Sequence, residues 1–410
     1  MSDNGTGGGP PPPSPAALRA SAEAMQDEFV AELRSLVDID CGSYTPSGVN
    51  LVADIVQAKF QGLGWSVRRH PHHPDPEARE PLPQLGDLLV ATLSGSRPAT
   101  QGGARVLLVG HMDTVFGEGT AGERPFRIDG TTATGPGVSD MKGGLLTGIY
   151  AVMCLQRNDF DAFDSITYVC NPDEEIGSPF SGPAILERAA TVDACFVLEG
   201  ARANGDIVSA RKGVAELQVI VQGRSAHAGV EPEKGRSATL QAAHTTIALH
   251  ELNGRWPGVT VNVGVVEGGT RPNVVAERCE LHVDLRAVTA EAFDQAVAEA
   301  ERVASTTTVP DTSVEIRRAA GFPPMEKTPG TARLADRARE IAGELGFELH
   351  DAATGGASDA NPVAGIGIPV LDGLGPIGGD DHAPSEWLDL ASVPPRVALL
   401  ASLIASVGPA

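Results

Sequence analysis

The chain has 410 residues, which at roughly 150 residues per domain predicts two or three domains. Apolar side chains make up 41% of it, enough to build large cores, so a wholly disordered protein is excluded. The 31 Lys and Arg residues face 53 Asp and Glu residues, which gives a formal net charge of -22. Nucleic acids and acidic membrane surfaces would be repelled at long range, so we expect neither among the partners.

The cysteines and the chain ends also restrict the class of protein. The five cysteines are scattered and include no Cys-x-x-Cys pair, which argues against a disulfide framework or a cysteine zinc finger. Residues 1–15 are rich in glycine and proline and do not resemble a signal peptide, so they are predicted to be a disordered tail. The apolar stretch 397–407 is too short to span a bilayer. We therefore expect a cytoplasmic protein.

The first half of the chain alternates helical patterns with short apolar runs. Helices are predicted over residues 15–38, 49–63 and 141–155, and strands over 65–70, 87–93, 105–110, 165–170 and 194–198. Continuous apolar runs of this length are typical of strands that are buried on both faces. Their alternation with helices predicts an α/β fold with a mostly parallel sheet flanked by helices.

The pattern changes near Ser209. Strands and helices then follow in the order β-α-β-β-α-β, over residues 213–223, 235–251, 259–266, 279–286, 290–304 and 314–317. This is the order of a ferredoxin-like α+β unit. The first domain resumes afterwards, with helices over 331–345 and 393–407 and a strand over 369–374. We expect a first domain over residues 16–208 and 320–410, interrupted by an inserted domain over 209–319.

Histidines and carboxylates follow the buried strands or stand in nearby loops. They are His111, Asp113, Asp140, Glu174, Glu175, Glu199 and His382. Open α/β sheets bind ligands at the carboxyl ends of their strands, so these side chains are expected to meet in one cleft. Crowded carboxylates repel one another unless cations neutralise them. The set suits two divalent ions, zinc foremost with cobalt or manganese as alternatives, and a bridging carboxylate would hold them roughly 3.5–4 Å apart.

Two other features of the sequence invite different interpretations. The segment GPGVSDMKGG is rich in glycine but has neither the Walker nor the dinucleotide-binding spacing, so nucleotide binding is not expected. Its glycines are predicted to let the backbone turn sharply around Asp140. His70, His72 and His73 alternate with prolines, and we interpret them as residues of a surface loop rather than as metal ligands.

The chain contains, in this order, the segments GHMDTV, GPGVSDMKGG, DEEIGS, LEG, GRSAHAG and GGDDHAP. Together they resemble the co-catalytic zinc hydrolases, which include glutamate carboxypeptidases, aminoacylases, acetylornithine deacetylase and succinyl-diaminopimelate desuccinylase. The resemblance runs from about Ala16 to the C terminus. Within the family, the segments PFRIDG, TGGASDAN and VPPR are most similar to the glutamate carboxypeptidase branch. The resemblance implies a zinc-peptidase-like catalytic domain, an inserted lid and dimerisation domain, and a homodimer.

The resemblance also implies roles for the strand-end residues. It assigns His111 and Glu199 to one metal ion, Glu175 and His382 to the other, and Asp140 to a bridge between them.

Three further features follow from the same likeness. Glu174 would be the general base, which takes a proton from water and passes it to the leaving amine. Asp113 would accept the ring N–H of His111. The peptide bond between Asp140 and Met141 would be cis.

Four residues of the later chain match positions that contact substrate in the family. His227 would reach the active site of a partner subunit and stabilise the oxyanion. Asn273 and Arg286 would contact the substrate, and the arginine is suited to a carboxylate. Gly356 would supply backbone contacts. A strand-end ion pair is the alternative interpretation of Arg286, and the basic residues that accompany glutamate preference have no secure counterpart, so that preference stays open.

The sequence therefore predicts a dinuclear metallohydrolase that cleaves an amide or peptide bond next to a free carboxylate. The substrate would be a small peptide or an N-acyl amino acid, cleaved in the manner of a glutamate carboxypeptidase. An N-acyl-amino-acid deacylase or a dipeptidase of the same family is the first alternative. A non-catalytic homologue is the second, and it is disfavoured because no ligand is lost and Glu174 is present.

Overall fold

The computed structural model describes residues 11–77, 81–319 and 321–408. The first ten residues of the predicted tail lie outside this range, and the first helix begins at Pro15. The chain divides into two compact units. The first unit comprises Met1–Ser209, Lys327–Ala353 and Ile366–Ala410, and the second comprises Ala210–Glu326 and Thr354–Gly365.

The helices and strands largely follow the predicted periodicities. The described residues form helices α1 (Pro15–Glu23), α2 (Gln26–Val37), α3 (Pro46–Gly62), α4 (Thr120–Glu123), α5 (Gly144–Arg157), α6 (Gly182–Ala189), α7 (Ala238–His250), α8 (Ala290–Ala304), α9 (Pro329–Leu345), α10 (Ala360–Gly365) and α11 (Val393–Ser406). The strands are β1 (Ser66–His70), β2 (Leu88–Ser94), β3 (Arg105–His111), β4 (Arg127–Asp129), β5 (Thr132–Thr134), β6 (Ser165–Asn171), β7 (Ala194–Val197), β8 (Ile207–Arg211), β9 (Gly213–Gln222), β10 (Thr260–Gly268), β11 (Arg278–Ala287), β12 (Ser313–Arg318), β13 (Asp351–Thr354), β14 (Val370–Leu371), β15 (Gly378–Gly379) and β16 (Trp387–Asp389).

The first unit is built on a six-stranded sheet in the order β1-β2-β6-β3-β7-β14. Strands β6, β3, β7 and β14 run parallel, whereas β1 and β2 are antiparallel to their neighbours. The predicted α/β fold with a mostly parallel sheet is confirmed. Because β6, β3 and β7 are adjacent and parallel, their carboxyl ends lie at one edge of the sheet, which is where a ligand site is expected.

Helix α5 lies at the centre of this unit's core and is buried from Gly144 to Leu155. A helix that is apolar on all sides needs neighbours on all sides, and side chains from the sheet and from α11 share one hydrophobic cluster with it. Its first turn approaches the backbone after β7 so closely that a Cβ on Gly144 would lie 1.8 Å from the carbonyl oxygen of Leu198. Only glycine fits there.

Several predicted boundaries differ from the structure. The single helix expected over residues 15–38 is two helices, because Ala24 and Met25 interrupt it and the Met25 side chain is buried in the core. The helix expected from Met141 begins at Gly144, after an irregular turn. The strand expected over 369–374 is reduced to Val370–Leu371, followed by an isolated antiparallel bridge between Asp372 and Val208.

A second sheet of the first unit has no counterpart in the sequence analysis. It joins β15, β16, β5 and β4, whose lengths are two or three residues each. Strands this short carry too little periodicity to be recognised. The sheet has a consequence for function, because it fixes the backbone just before the loop that contains His382.

The second unit has a four-stranded antiparallel sheet in the order β10-β11-β9-β12, with α7 and α8 contributing to one hydrophobic cluster with it. This is the strand order of a ferredoxin-like unit, as predicted. The unit extends beyond the predicted 209–319, to Glu326, and it includes Thr354–Gly365, which the prediction left in the first domain. The added segment belongs here because Asn361 donates hydrogen bonds to the carbonyl oxygens of Lys212 and Pro323.

None of the helices in the described parts of the chain combines the length and the apolar character needed to cross a bilayer.

Candidate metal centre

Asp140 lies between the two predicted sets of metal ligands. Its Oδ1 atom is 3.0 Å from His111 Nε2, and its Oδ2 atom is 3.1 Å from His382 Nε2. Glu199 Oε1 lies 3.8 Å from His111 Nε2, and Glu175 Oε2 lies 3.2 Å from His382 Nε2. The five side chains therefore form two groups of three potential ligands, and Asp140 belongs to both groups.

The parallel sheet positions three of these side chains. His111 is the last residue of β3, Glu175 lies in a short 3-10 turn after β6, and Glu199 follows β7 by two residues. Asp140 comes from the irregular turn before α5, where the peptide bond to Met141 is cis, as the family resemblance implied.

His382 reaches the same centre from a loop with an unusual backbone. Both Asp380 and His382 have positive φ angles, 57° and 64°, in the left-handed region that non-glycine residues seldom occupy. Such conformations persist when surrounding contacts fix them. The strained backbone of this loop therefore holds the His382 ring where it contacts Asp140 and Glu175.

Burial and mutual hydrogen bonds shift the pKa values of the histidines and of Asp140 at this centre. Burial alone would raise the pKa of Asp140, but hydrogen bonds from His111 and His382 hold that pKa well below its usual range. The imidazole of His111 is buried, which lowers its pKa, yet the charge of Glu199 and the hydrogen bonds to Asp113 and Asp140 raise it well above the usual value. Hydrogen bonds to Asp140 and Glu175 raise the pKa of His382 to about 10.

Glu199 and Glu175, the other two carboxylates of the centre, have too little positive charge near them to offset their burial. Burial raises the pKa of Glu199 to about 8, and it also raises the pKa of Glu175. The Oε1 atom of Glu175 is buried and has no hydrogen-bond partner among the described residues. Imidazole and carboxylate donors suit divalent ions of the zinc type, and dications would supply the charge that these carboxylates lack. The residues present therefore fit a divalent-metal site.

Asp113 links three segments around the centre. The ring Nδ1 of His111 is 2.9 Å from the backbone oxygen of Asp113 and 3.4 Å from its carboxylate, so the backbone oxygen is the nearer acceptor. The carboxylate accepts hydrogen bonds from Ser43 Oγ at 2.7 Å and from the backbone N–H groups of Glu174 and Glu175 at 3.2 Å. Asp113 thus orients the turn that carries both glutamates more directly than it orients the histidine.

Glu386 is a residue of the centre that the sequence analysis missed. Its buried carboxylate accepts hydrogen bonds from the backbone N–H groups of Gly137, Ser139 and Asp140, at 3.0, 2.8 and 3.0 Å. Burial raises its pKa to about 7, although these three bonds oppose the shift. The only signal in the sequence is an isolated acidic residue four positions after His382.

The residues of the second unit that are predicted to contact substrate form two separate groups. His227 is exposed, and the backbone of its segment pairs with that of Asn273, whose oxygen accepts a hydrogen bond from Ala228 at 3.0 Å. The Nδ1 atom of His227 accepts the N–H of Gly229 at 3.2 Å. A neutral ring whose Nδ1 is an acceptor carries its proton on Nε2, so the outer nitrogen of His227 is a hydrogen-bond donor.

Arg286 forms the second arrangement. Its Nε and Nη2 atoms donate to the Asp284 carboxylate at 3.0 and 3.1 Å, and Nη1 donates to the Gly355 oxygen at 2.7 Å. The ion pair that the sequence analysis kept as an alternative is therefore present. One N–H on each terminal nitrogen of Arg286 has no partner among the described residues. Gly356, the next residue of the loop, accepts a hydrogen bond from Arg211 at 3.1 Å.

One expectation about the histidines was wrong. His72 is not at the surface but 7% exposed, its ring 4.8 Å from the ring of Phe180, and its Nδ1 atom accepts the N–H of Leu85 at 3.1 Å. His70 is the last residue of β1, but residues 71–75 form neither helix nor strand, so no periodicity in the sequence predicts the packing of His72.

A mostly parallel α/β unit with two histidines and two glutamates around a shared aspartate has the ligand set of a metal-dependent hydrolase. The family profile of Peptidase family M20/M25/M40 matches residues 107–406, and the protein belongs to this family of metal-dependent peptidases and amidohydrolases. It is an enzyme of the hydrolase class.

Three relatives show the extent of the similarity. Carboxypeptidase G2 from Pseudomonas sp. (strain RS-16) is 29% identical over 397 residues, which cover 95% of this chain and 92% of the relative. The aminopeptidase PepT from Bacillus cereus ATCC 10987 has a TM-score of 0.76 at 25% identity, over 93% of this chain and 98% of that one. The M20 family metallo-carboxypeptidase from Sulfolobus solfataricus shares the fold, with a TM-score of 0.70 at 15% identity over 92% and 98% of the two chains.

Proposed function

We propose that the protein is a dinuclear metallocarboxypeptidase that cleaves the amide bond next to a free carboxylate, in the manner of a glutamate carboxypeptidase. The observation that carries this proposal is the position of Asp140, whose two carboxylate oxygens contact different histidines at 3.0 and 3.1 Å. A carboxylate in this position can bridge two ions, which is the arrangement of two-metal hydrolases.

In this proposal His111 and Glu199 hold one divalent ion, Glu175 and His382 hold the other, and Asp140 is shared. Zinc suits these imidazole and carboxylate donors best, with cobalt or manganese as alternatives. Bound ions of this kind polarise a carbonyl group and lower the pKa of water.

Glu174 acts as the general base beside this site. It takes a proton from the attacking water and later delivers it to the leaving amine. Its position supports the role, because Glu174 and Glu175 share one 3-10 turn and their backbone N–H groups are both fixed by the Asp113 carboxylate. Neighbouring side chains on a 3-10 turn point in different directions, so Glu175 can bind a metal while Glu174 faces water.

Arg286 is proposed to bind the free carboxylate of the substrate, with Asn273 and the Gly356 loop as further contacts. The two N–H groups that Arg286 does not use for Asp284 and Gly355 are available to a second carboxylate. The net charge of -22 makes such a local cation necessary for holding an anionic substrate.

We further propose a homodimer formed through the second unit, with His227 of one copy acting in the active site of the other. Strand β10 lies at the edge of its sheet and exposes Val265 and Val266 at 44% and 53%. Leu240 and Ile247, two turns apart on α7, are 52% and 60% exposed. An unpaired edge strand and exposed apolar side chains favour association with a second copy.

The test is an activity panel with defined metal content. The enzyme is stripped with a chelator and reloaded with zinc, cobalt or manganese, and N-acyl-L-glutamates, N-acyl-L-alanines and dipeptides are compared with their C-terminal amides. We expect activity only after reloading, about two ions per chain, and a strong preference for the free acids. Full activity of the stripped enzyme, or equal cleavage of acids and amides, would contradict the proposal.

A further inference from the structure

A cavity of about 250 Å³ borders Glu175 in the first unit. Its lining comes from three segments, residues 42–45, 114–117 and 175–176. We propose that this cavity, called the acyl cavity below, receives the group on the carbonyl side of the scissile bond and selects large apolar or aromatic acyl groups. This inference rests on the proposed function.

Four large apolar or aromatic side chains contribute to the lining of the cavity. Tyr44 is 63% exposed and Val115 is 43% exposed, and Phe116 and Ile176 are partly exposed beside them. Large apolar side chains that face an open cavity beside a reaction centre gain free energy when a ligand covers them. Four such side chains in one cavity therefore match a ligand group that is itself apolar.

The charge of the cavity identifies which half of the substrate it takes. Among the described lining residues, Glu175 is the only charged group and no lysine or arginine is present. The amino-acid half of the substrate carries a free carboxylate, and a cavity lined by no cationic side chain would not stabilise that charge. The acyl half carries no obligatory charge, so it is the half that fits. By the same argument a succinyl group, which ends in a carboxylate, fits poorly.

The walls of the acyl cavity are held together by the backbone. The N–H of Ser43 donates to the Thr114 oxygen at 3.2 Å, and the N–H of Thr114 donates to the Cys41 oxygen at 3.0 Å. The two segments approach each other so closely at this point that a Cβ on Gly42 would lie 2.4 Å from the backbone oxygen of Phe116. The shape of the cavity is thus built into the fold, which is the usual condition for a selective site.

The same walls are connected to the proposed catalytic turn. Ser43 Oγ donates to the Asp113 carboxylate at 2.7 Å, and that carboxylate also accepts the N–H groups of Glu174 and Glu175. One carboxylate therefore fixes Tyr44's segment and the proposed base relative to each other. Glu175 itself borders the acyl cavity, so the cavity adjoins the place where the proposed function puts the scissile carbonyl.

A third contact fixes the aromatic wall. The guanidinium carbon of Arg124 lies 4.5 Å from the centre of the Phe116 ring, and Arg124 donates to the Ala383 oxygen at 3.3 Å, next to His382. The cation occupies one face of the ring, so it orients Phe116 and is not itself a lining residue of the cavity.

The experiment measures kcat/KM for two substrate series, N-acyl-L-glutamates and N-acyl-L-alanines, each with acetyl, hexanoyl, benzoyl and succinyl groups. We expect the zinc-loaded wild type to cleave the hexanoyl or benzoyl member at least about tenfold faster than the acetyl and succinyl members, since each well-placed methylene is worth roughly that factor. Equal rates for all four acyl groups would overturn the inference but leave the proposed function intact.

The variants Tyr44→Gln and Val115→Thr test whether the preference for large acyl groups arises from the lining of the acyl cavity. We expect each to reduce the benzoyl-to-acetyl ratio of kcat/KM several-fold, because both side chains line the acyl cavity. The matched control is Leu51→Gln, because Leu51 is 54% exposed on α3 and does not line the cavity. A ratio that survives in Tyr44→Gln and Val115→Thr, or that falls equally in Leu51→Gln, would overturn the inference. Absence of any metal-dependent amide hydrolysis would overturn the proposed function and this inference with it.

Discussion

The carboxylate of Glu386 accepts the backbone N–H of Asp140 at 3.0 Å, so a buried acidic residue holds the very residue that contacts both histidines of the centre. The two residues are 246 positions apart in the chain. Since the same carboxylate also binds the N–H groups of Gly137 and Ser139, it determines the course of the whole turn around Asp140.

Glu386→Gln should therefore weaken metal binding. The amide keeps the size of the side chain but loses the charge-assisted acceptors, and loss of a group that orients a ligand typically costs about 10–100-fold in metal affinity. Metal affinity is measured by competition with a chromophoric chelator, and the melting temperature of the metal-free protein is recorded beside it. The control is Glu348→Gln, at a side chain that is 86% exposed. If only the melting temperature falls and metal affinity is unchanged, Glu386 has a structural role alone.

The adjacent residues Glu174 and Glu175 should have separable roles. Glu174→Ala should retain both ions and lose about 10²–10⁴-fold in turnover, as expected for loss of a general base. Glu175→Ala should instead lose metal, because its buried carboxylate lies 3.2 Å from His382 Nε2. Metal content by elemental analysis and turnover at saturating metal distinguish the two. Near-normal turnover of Glu174→Ala would remove Glu174 from the mechanism.

Complementation between two inactive variants tests the proposed role of His227 across a dimer. A one-to-one mixture of His227→Ala and Glu174→Ala chains should recover about a quarter of wild-type activity, because half of the randomly formed dimers would contain one intact site. Each variant alone, treated in the same way, is the control. Failure to recover activity after subunit exchange has been verified by mass spectrometry, or an active enzyme that is strictly monomeric, would contradict the proposal.

Arg286 should be required for recognition of the substrate carboxylate. Arg286→Lys should reduce kcat/KM nearly as much as Arg286→Ala, by about 10–100-fold, since a lysine cannot bind Asp284 and a second carboxylate in a fork geometry. Amidation of the substrate's carboxylate should harm the wild type strongly and Arg286→Ala little. Arg278→Ala is the matched control, because Arg278 lies on the same strand and also pairs with an acidic residue two positions away, Glu280. Equal effects of amidation on wild type and Arg286→Ala would refute the role.

The sequence by itself determined the architecture of this protein and predicted its candidate metal ligands. The apolar run 105–110 predicted a buried strand, and His111 at its end was predicted to be a metal ligand. Both predictions were possible because the apolar run and the histidine are adjacent in the chain. The ferredoxin-like order of the second unit was equally local, since each of its elements carries its own periodicity.

The tertiary structure alone decided the relations that depend on residues distant in sequence. The Glu386 carboxylate, the Asp113 link between Ser43 and the glutamate turn, and the apolar cavity beside Tyr44 each join segments between 61 and 249 positions apart. No periodicity marks such contacts, because the free energy that fixes them comes from burial and from hydrogen bonds formed only when the chain has folded. The break at Met25 has the same origin, since that side chain enters the core where no residue type signals the end of a helix.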